Sequence, residues 1–230
     1  MTIADIMTKV DALTHTTDTN GYLAANRLID LNNAQDELQM DILRAMDGDD
    51  FDDKNYTSNF PIRPADLVAD QRDYTLPTDM IKFKRLTISY DGTNWYKATP
   101  FDIGESGEVI KDANFSKEAP MYDLQYNSVK IYPTPTENVT DGFKVWISRQ
   151  MMLFTSSDVS TGTREPGIDR SYHKIIPYKM ALEFAYENLP EKIVTFEQKI
   201  AMMVNDMQED YSDKQRDDNM IAKAGYVNYE

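Results

Sequence analysis

Cysteine is missing from this chain, and histidine occurs only twice, at His15 and His173. Without thiols there is no disulfide framework, no thiolate nucleophile and no cysteine-based metal site, so the fold depends on packing alone. His173 has no Glu-x-x-His or His-x-x-x-His partner, which speaks against zinc, and it reads as a partly exposed helix histidine. Positive charge is scarce as well: 24 basic residues face 39 acidic ones, a net charge of −15, which suits no surface built to grip phosphate backbones. No apolar run reaches 18 residues and MTIADIMTKVDALTH lacks the pattern of a signal peptide, so a soluble chain made in the cytosol, with no membrane partner, is expected. No phosphate-cradling Gly-x-x-x-x-Gly-Lys-Ser/Thr or Gly-x-Gly-x-x-Gly occurs, and GESGE at 104–108 lacks the spacing of a nucleophile elbow. No catalytic residue, cofactor site or metal site is therefore assigned.

What is present is a globular chain of 230 residues whose 41% hydrophobic content is enough for a core. Ile3, Ile6, Met7, Val10 and Leu13 recur at helical spacing, and a second helix from about Tyr22 carries Leu28, Leu31, Leu38, Ile42 and Met46, with Arg27 among the residues off the stripe. Asp47-Gly48 marks its end, and DGDDFDDKNYTSNFPIRP follows as an exposed acidic linker. The run Asp47, Asp49, Asp50, Asp52, Asp53 fails as a calcium loop, because Asp52 stands where the glycine is required and Ser58 where a bidentate Glu is required.

From Asp66 to Gln150 the period changes to that of strands. Asp91-Gly92 predicts a hairpin turn, and Asn127-Ser128 and Asp141-Gly142 predict two bends. Trp95 and Tyr96 could form a stacking platform, but alternation places one of them in the sheet core. Past Pro166 the helical period returns. Ile175, Ile176, Met180, Ala181, Phe184 and Ala185 mark a third helix, and Pro190 opens a fourth with Ile193, Phe196, Ile200, Met203 or Val204, Met207 and Tyr211.

The expected fold class is α+β: a four-helix body with an antiparallel β region inserted between helices 2 and 3, and an extended C-terminal tail. The expected divisions are 1–60 and 166–212 for the two halves of the body, 61–165 for the β insertion and 213–230 for the tail. Met220, Ile221, Tyr226, Val227 and Tyr229 in the tail are too sparse for a core but suffice as anchors on a partner.

The ordered set LVADQRDYTLPTDMIKFKRLTIS, GTNWYKATPFDI, APMYDLQYNSVKIYPTP and IDRSYHKIIPYKMALEFAYE resembles the head-to-tail adaptor (connector) proteins of tailed bacteriophages. The resemblance rests on Tyr74, Leu76, Pro77 and Asp79, then Trp95 in a hairpin, Pro120 and Tyr122 at a strand start, and Pro133 and Pro135 at a strand end. It implies a structural virion protein of the neck, not an enzyme. Such a protein forms an oligomeric ring beneath the portal, twelve subunits following portal symmetry. The ring joins capsid to tail, extends the DNA channel used in genome ejection and contacts the portal protein and a tail or nozzle protein. Genomic DNA would pass through it without specific binding, and the tail anchors would bind the portal or a neighbouring subunit. The alternative is a glycan- or protein-binding module of a tail or fibre with a helical base.

Overall fold

The computed structural model describes residues 1–17, 21–46, 53–56, 62–101 and 112–224, with side chains from 63 in the fourth segment and up to 213 in the last. The chain divides into two compact units, Met1–Thr57 with Gln150–Glu230, and Ser58–Arg149. The first is helical and the second is built of strands, which makes the fold α+β as expected.

The helical unit holds α1 (Ile3–Thr14), α2 (Ala24–Ala45), the short α3 (Ser156–Thr161), α4 (Ile175–Asn188) and α5 (Ile193–Ala224). Thr2 caps α1 by accepting from the Asp5 amide while Asp5 accepts from the Thr2 amide, a reciprocal capping box. Two more amides of that first turn find carbonyls outside the helix, Ile3 N–H on Arg164 O at 2.9 Å and Ala4 N–H on Gly162 O at 3.1 Å. Helix α4 packs against α1, α2 and α5, so its stripe meets apolar faces on several sides. Ile6 and Val10, Leu31, Leu38 and Ile42, Ile176 and Met180, and Phe196 and Met207 are buried from their respective helices. Each such side chain contributes roughly 1.5–3 kcal/mol on burial.

Several expectations for this unit need correction. Helix α3 lies in residues assigned to the β insertion, and residues 150–165 belong to the helical unit. Thr155 and Asp158 cap α3, and Gly162 ends it at φ +66°, where a β-carbon would also crowd Ala4. Helix α5 continues to Ala224, so the chain does not leave helical structure at Ser212. Arg27 is buried, not solvated: it pairs with Asp11 at 2.6 Å and donates to Tyr22 O at 2.7 Å, tying the α1–α2 connection to α2. The polar face of α2 also reads the backbone of 151–154. Gln39 accepts from the Met151 amide at 3.0 Å, and Asn32 accepts from Phe154 N–H at 2.8 Å and donates to Phe154 O at 3.1 Å.

The strand unit contains β1 (Ile62–Leu67), β2 (Asp73–Thr75), β3 (Met80–Ile88), β4 (Tyr96–Lys97), β5 (Thr99–Pro100), β6 (Met121–Gln125), β7 (Ser128–Tyr132) and β8 (Val139–Arg149). One sheet has the order β1-β8-β3-β4 and the other β2-β7-β6-β5. All pairs are antiparallel except β5–β6, which is parallel, so the second sheet is mixed where an antiparallel region was expected. Ala98 N–H bonds to Leu86 O in one sheet and Thr99 N–H to Pro120 O in the other, so the strand through 96–100 is shared by both. Leu67, Leu86, Ile88, Val129, Ile131, Phe143, Val145 and Ile147 fill the core between the sheets.

The hairpin at Asp91-Gly92 is present, joining β3 to β4. Asp91 accepts from the Asn94 and Thr93 amides and from the Asn94 side chain, and these bonds hold its carboxyl well below the usual carboxylate range. Asp141-Gly142, by contrast, is no bend between strands: both residues lie inside β8. Asp141 sits at φ +51°, and a β-carbon on Gly142 would approach Ser89 O to 2.9 Å.

Candidate partner-binding surfaces

Most of the motif residues turn inward. Tyr74 is buried against Phe143, ring centroids 5.0 Å apart, and its hydroxyl accepts from Val68 N–H at 3.1 Å and lies 3.2 Å from Gln71 O, to which it donates. That one side chain fixes the turn between β1 and β2. Leu76 is buried beside it and bonds through its amide to Asn127 O. Pro77 O accepts from Met80 N–H, and Asp79 pairs with Arg63 at 2.6 Å. Tyr122 is half-buried against Phe83, centroids 5.2 Å apart. Pro120, Pro133 and Pro135 are buried; Pro133 O accepts from the Tyr90 hydroxyl at 2.8 Å and Pro135 O from the Asp70 amide at 2.9 Å. These residues build the core and turns of the strand unit.

A polar knot unseen in the sequence lies beside them. Arg72 bonds Asp112 at 2.9 and 3.0 Å and Thr134 at 2.8 Å, and stands over the Tyr132 ring at 4.8 Å. Tyr132 stacks in turn on Phe115, centroids 4.9 Å apart. Only the Pro-rich exit of β7 hinted at a turn needing such support.

The outward face of the first sheet has a different character. Register places Arg85 opposite Trp146, Thr87 opposite Lys144, and Thr87 opposite Lys97. The Lys144 ammonium sits 3.5 Å from the Trp95 ring centroid and the Arg85 guanidinium 4.1 Å from that of Trp146. Trp95 is exposed on the hairpin loop before the two-residue strand β4 begins, while Tyr96, half-buried, stands opposite buried Ile88 and so takes the core-facing side of the sheet, as alternation places one of the two. The face is basic within a strand unit that carries 13 acidic and 11 basic residues, net −2 of the chain's −15.

The helical unit carries the remaining acidity. Between α2 and α4 an open groove of about 300 Å³ is lined by Tyr22, Ile29, Asp30, Glu183, Phe184 and Glu187. Asp30 accepts from the Tyr22 hydroxyl at 2.5 Å. Burial first, then nearby Glu187, raises the Asp30 carboxyl above its ordinary value, and burial, Asp30 and Glu37 do the same to Glu183. Ile29, which lines this groove, is more than half exposed.

Two single residues change their reading. Asp53, counted with the exposed acidic run, is buried: it accepts from Asn55 N–H at 2.7 Å and Met152 N–H at 2.8 Å. Asp47, Asp49, Asp50 and Asp52 lie outside the described residues, as does all of GESGE. His173 is fully buried, not partly exposed, with Nε2 3.2 Å from Ile168 O and Nδ1 3.0 Å from Met1 O, and burial lowers its pKa. Of the tail anchors, Met220 and Ile221 fall on α5 beyond the last described side chains, while Tyr226, Val227 and Tyr229 lie outside the described residues.

Among the described residues no group of three or more potential ligands could hold a metal, and no helix is long and apolar enough to cross a membrane. The sequence profile of the SU10 adaptor protein family matches residues 1–223, which spans both units. The chain belongs to the SU10 adaptor protein family. No match to a curated protein is found. Membership makes the chain a structural phage adaptor and bears out the resemblance read from the Tyr74 to Pro135 motifs. In this adaptor most of those motif residues are core and turn residues of the strand unit, while Trp95 stands on the outward cationic face.

Proposed function

We propose that this SU10-family adaptor is a neck protein of the virion, joining capsid to tail as a ring beneath the portal and lengthening the channel through which the genome leaves. The observation that carries the reading is the adaptor-family match across residues 1–223, both units together. A ring needs two unlike, complementary faces on each subunit, and a helical unit joined to a strand unit supplies unlike faces. The net charge of −15 suits a channel wall that DNA crosses without adhering, since no long row of cations replaces the counterions of the phosphates. Twelve copies follow from the symmetry that the family resemblance implies. Portal contact is assigned to the segment 213–230, with Met220, Ile221, Tyr226, Val227 and Tyr229 as its anchors, and the opposite end of the ring receives the tail or nozzle protein.

Native mass spectrometry of the full chain, alone and with the portal protein of the same particle, tests this. The expected outcome is a free chain that is monomeric or weakly associated and a closed ring once the portal is present. A chain that leaves the mass of the portal assembly unchanged would overturn the reading.

A further inference from the structure

We propose that the cationic outer face of the first sheet, Arg85, Lys97 and Lys144, docks in the acidic groove of a second copy of the chain, against Asp30, Glu183 and Glu187. The inference rests on the ring reading above and adds which two faces meet. Three strands contribute the cations, which register alone brings together. None of the three has a carboxylate partner among the described residues, and neither Glu183 nor Glu187 has an ion pair there. Each set of charges therefore has no ion pair of its own among the described residues.

The chemistry selects the partner. A cationic face repels its own copy, so it does not pair with itself; it meets the unlike, acidic groove, a contact that closes into a ring when repeated head to tail. Nucleic acid is the poorer fit. Base stacking would need free ring faces, but Lys144 covers a face of Trp95 and Arg85 a face of Trp146. The strand unit as a whole is net negative, and three cations release few counterions from a phosphate backbone. The helical unit, with 26 acidic and 13 basic residues, is net −13 and offers the complementary field. Exposed Ile29 in the groove gives the charged contact an apolar neighbour.

The test uses the full chain assembled on the portal. One variant carries Arg85→Glu and Lys97→Glu, a second Glu183→Lys and Glu187→Lys, and a third all four changes; all four positions are exposed, and thermal melts confirm that each variant folds. Each reversal alone is expected to weaken ring formation by at least about tenfold at low salt, and the combined variant to recover it. In wild-type rings made from isotopically labelled and unlabelled copies, zero-length amine–carboxyl crosslinking should join Lys97 or Lys144 of one copy to Glu183 or Glu187 of another. Single reversals that enter rings like wild type, with no such crosslink, overturn the contact while leaving the ring reading intact. Reversals that assemble normally but lose binding to a labelled DNA duplex overturn it in favour of a nucleic-acid face. A wild-type chain that forms no ring overturns both.

Discussion

Gly167 lies so close to Asp53 that a β-carbon at 167 would overlap the Asp53 carboxylate. The same carboxylate holds the amides of Asn55 and Met152, and Lys54 N–H bonds to Gly167 O at 3.2 Å, so one short buried side chain joins the end of the 53–56 segment to 152 and 167. Gly167→Ala should cost about 2–3 kcal/mol, because the carboxylate must move and leave buried amides unpaired. In an Asp53→Ala background the same change should cost much less, since the obstacle is gone. Urea unfolding of the four chains of this cycle checks it; additive costs would show that the two residues act independently.

The Tyr74 hydroxyl serves the turn between β1 and β2. Tyr74→Phe keeps the stack on Phe143 but leaves Val68 N–H without its acceptor, and should destabilise the chain by about 1–2 kcal/mol. Ring formation on the portal should survive, because the residue is buried within the strand unit. Loss of portal assembly with unchanged stability would move Tyr74 from the core to the interface.

His173 sets a pH dependence with a definite sign. Burial lowers its folded pKa below the ordinary 6.5, so the unfolded chain takes up the proton first as pH falls. Stability attributable to neutral His173 is whole above pH 6.5, declines as pH drops toward the folded value, and levels off below it. Asp30 and Glu183 oppose this at more acid pH, since carboxyls with raised folded pKa values favour the folded state as they protonate. The difference between wild type and His173→Gln isolates the histidine: wild type should lose stability between neutral pH and mild acid, and the variant should lose less over that window. Parallel curves would remove His173 as the source.

The parts legible in the sequence are those governed by local period. Ile3, Ile6 and Val10, and Phe196, Met207 and Tyr211, sit on the stripes that spacing placed them on, because a helix buries one side whatever it packs against. Asp91-Gly92 was readable for the same reason, as a turn made by its own residues. Helix α3 is too short for a period to show, although Thr155, Asp158 and Gly162 spell its cap and stop. Asp141-Gly142 looked like a bend because a bulge and a turn ask for the same residues, and only pairing on both sides of β8 tells them apart. The burial of Arg27, off the stripe, and of Asp53, in an acidic run that reads as exposed, is not legible in sequence, because charge predicts exposure until a buried partner is known. The cationic face and the acidic groove were out of reach, since each joins residues from separate elements through register or helix packing.

The C-terminal end of α5 separates folding from assembly. Helix α5 spans 32 residues, about 48 Å at 1.5 Å per residue, and its last described buried side chains are Met207 and Tyr211. A chain ending at Asp213 keeps both, together with the contact between the Tyr211 and Tyr172 rings at 5.7 Å. It should therefore melt within a few degrees of the full chain, a shift that corresponds to roughly 1 kcal/mol in a protein of this size. What it should lose is the portal. The removed segment holds Met220, Ile221, Tyr226, Val227 and Tyr229, the residues proposed above as portal anchors. Sedimentation of the truncated chain with the portal protein should show two separate species where the full chain gives one. Undiminished binding by a folded, truncated chain would place the portal contact elsewhere on the adaptor, and a truncated chain that fails to fold would show that α5 beyond 213 belongs to the body of the helical unit.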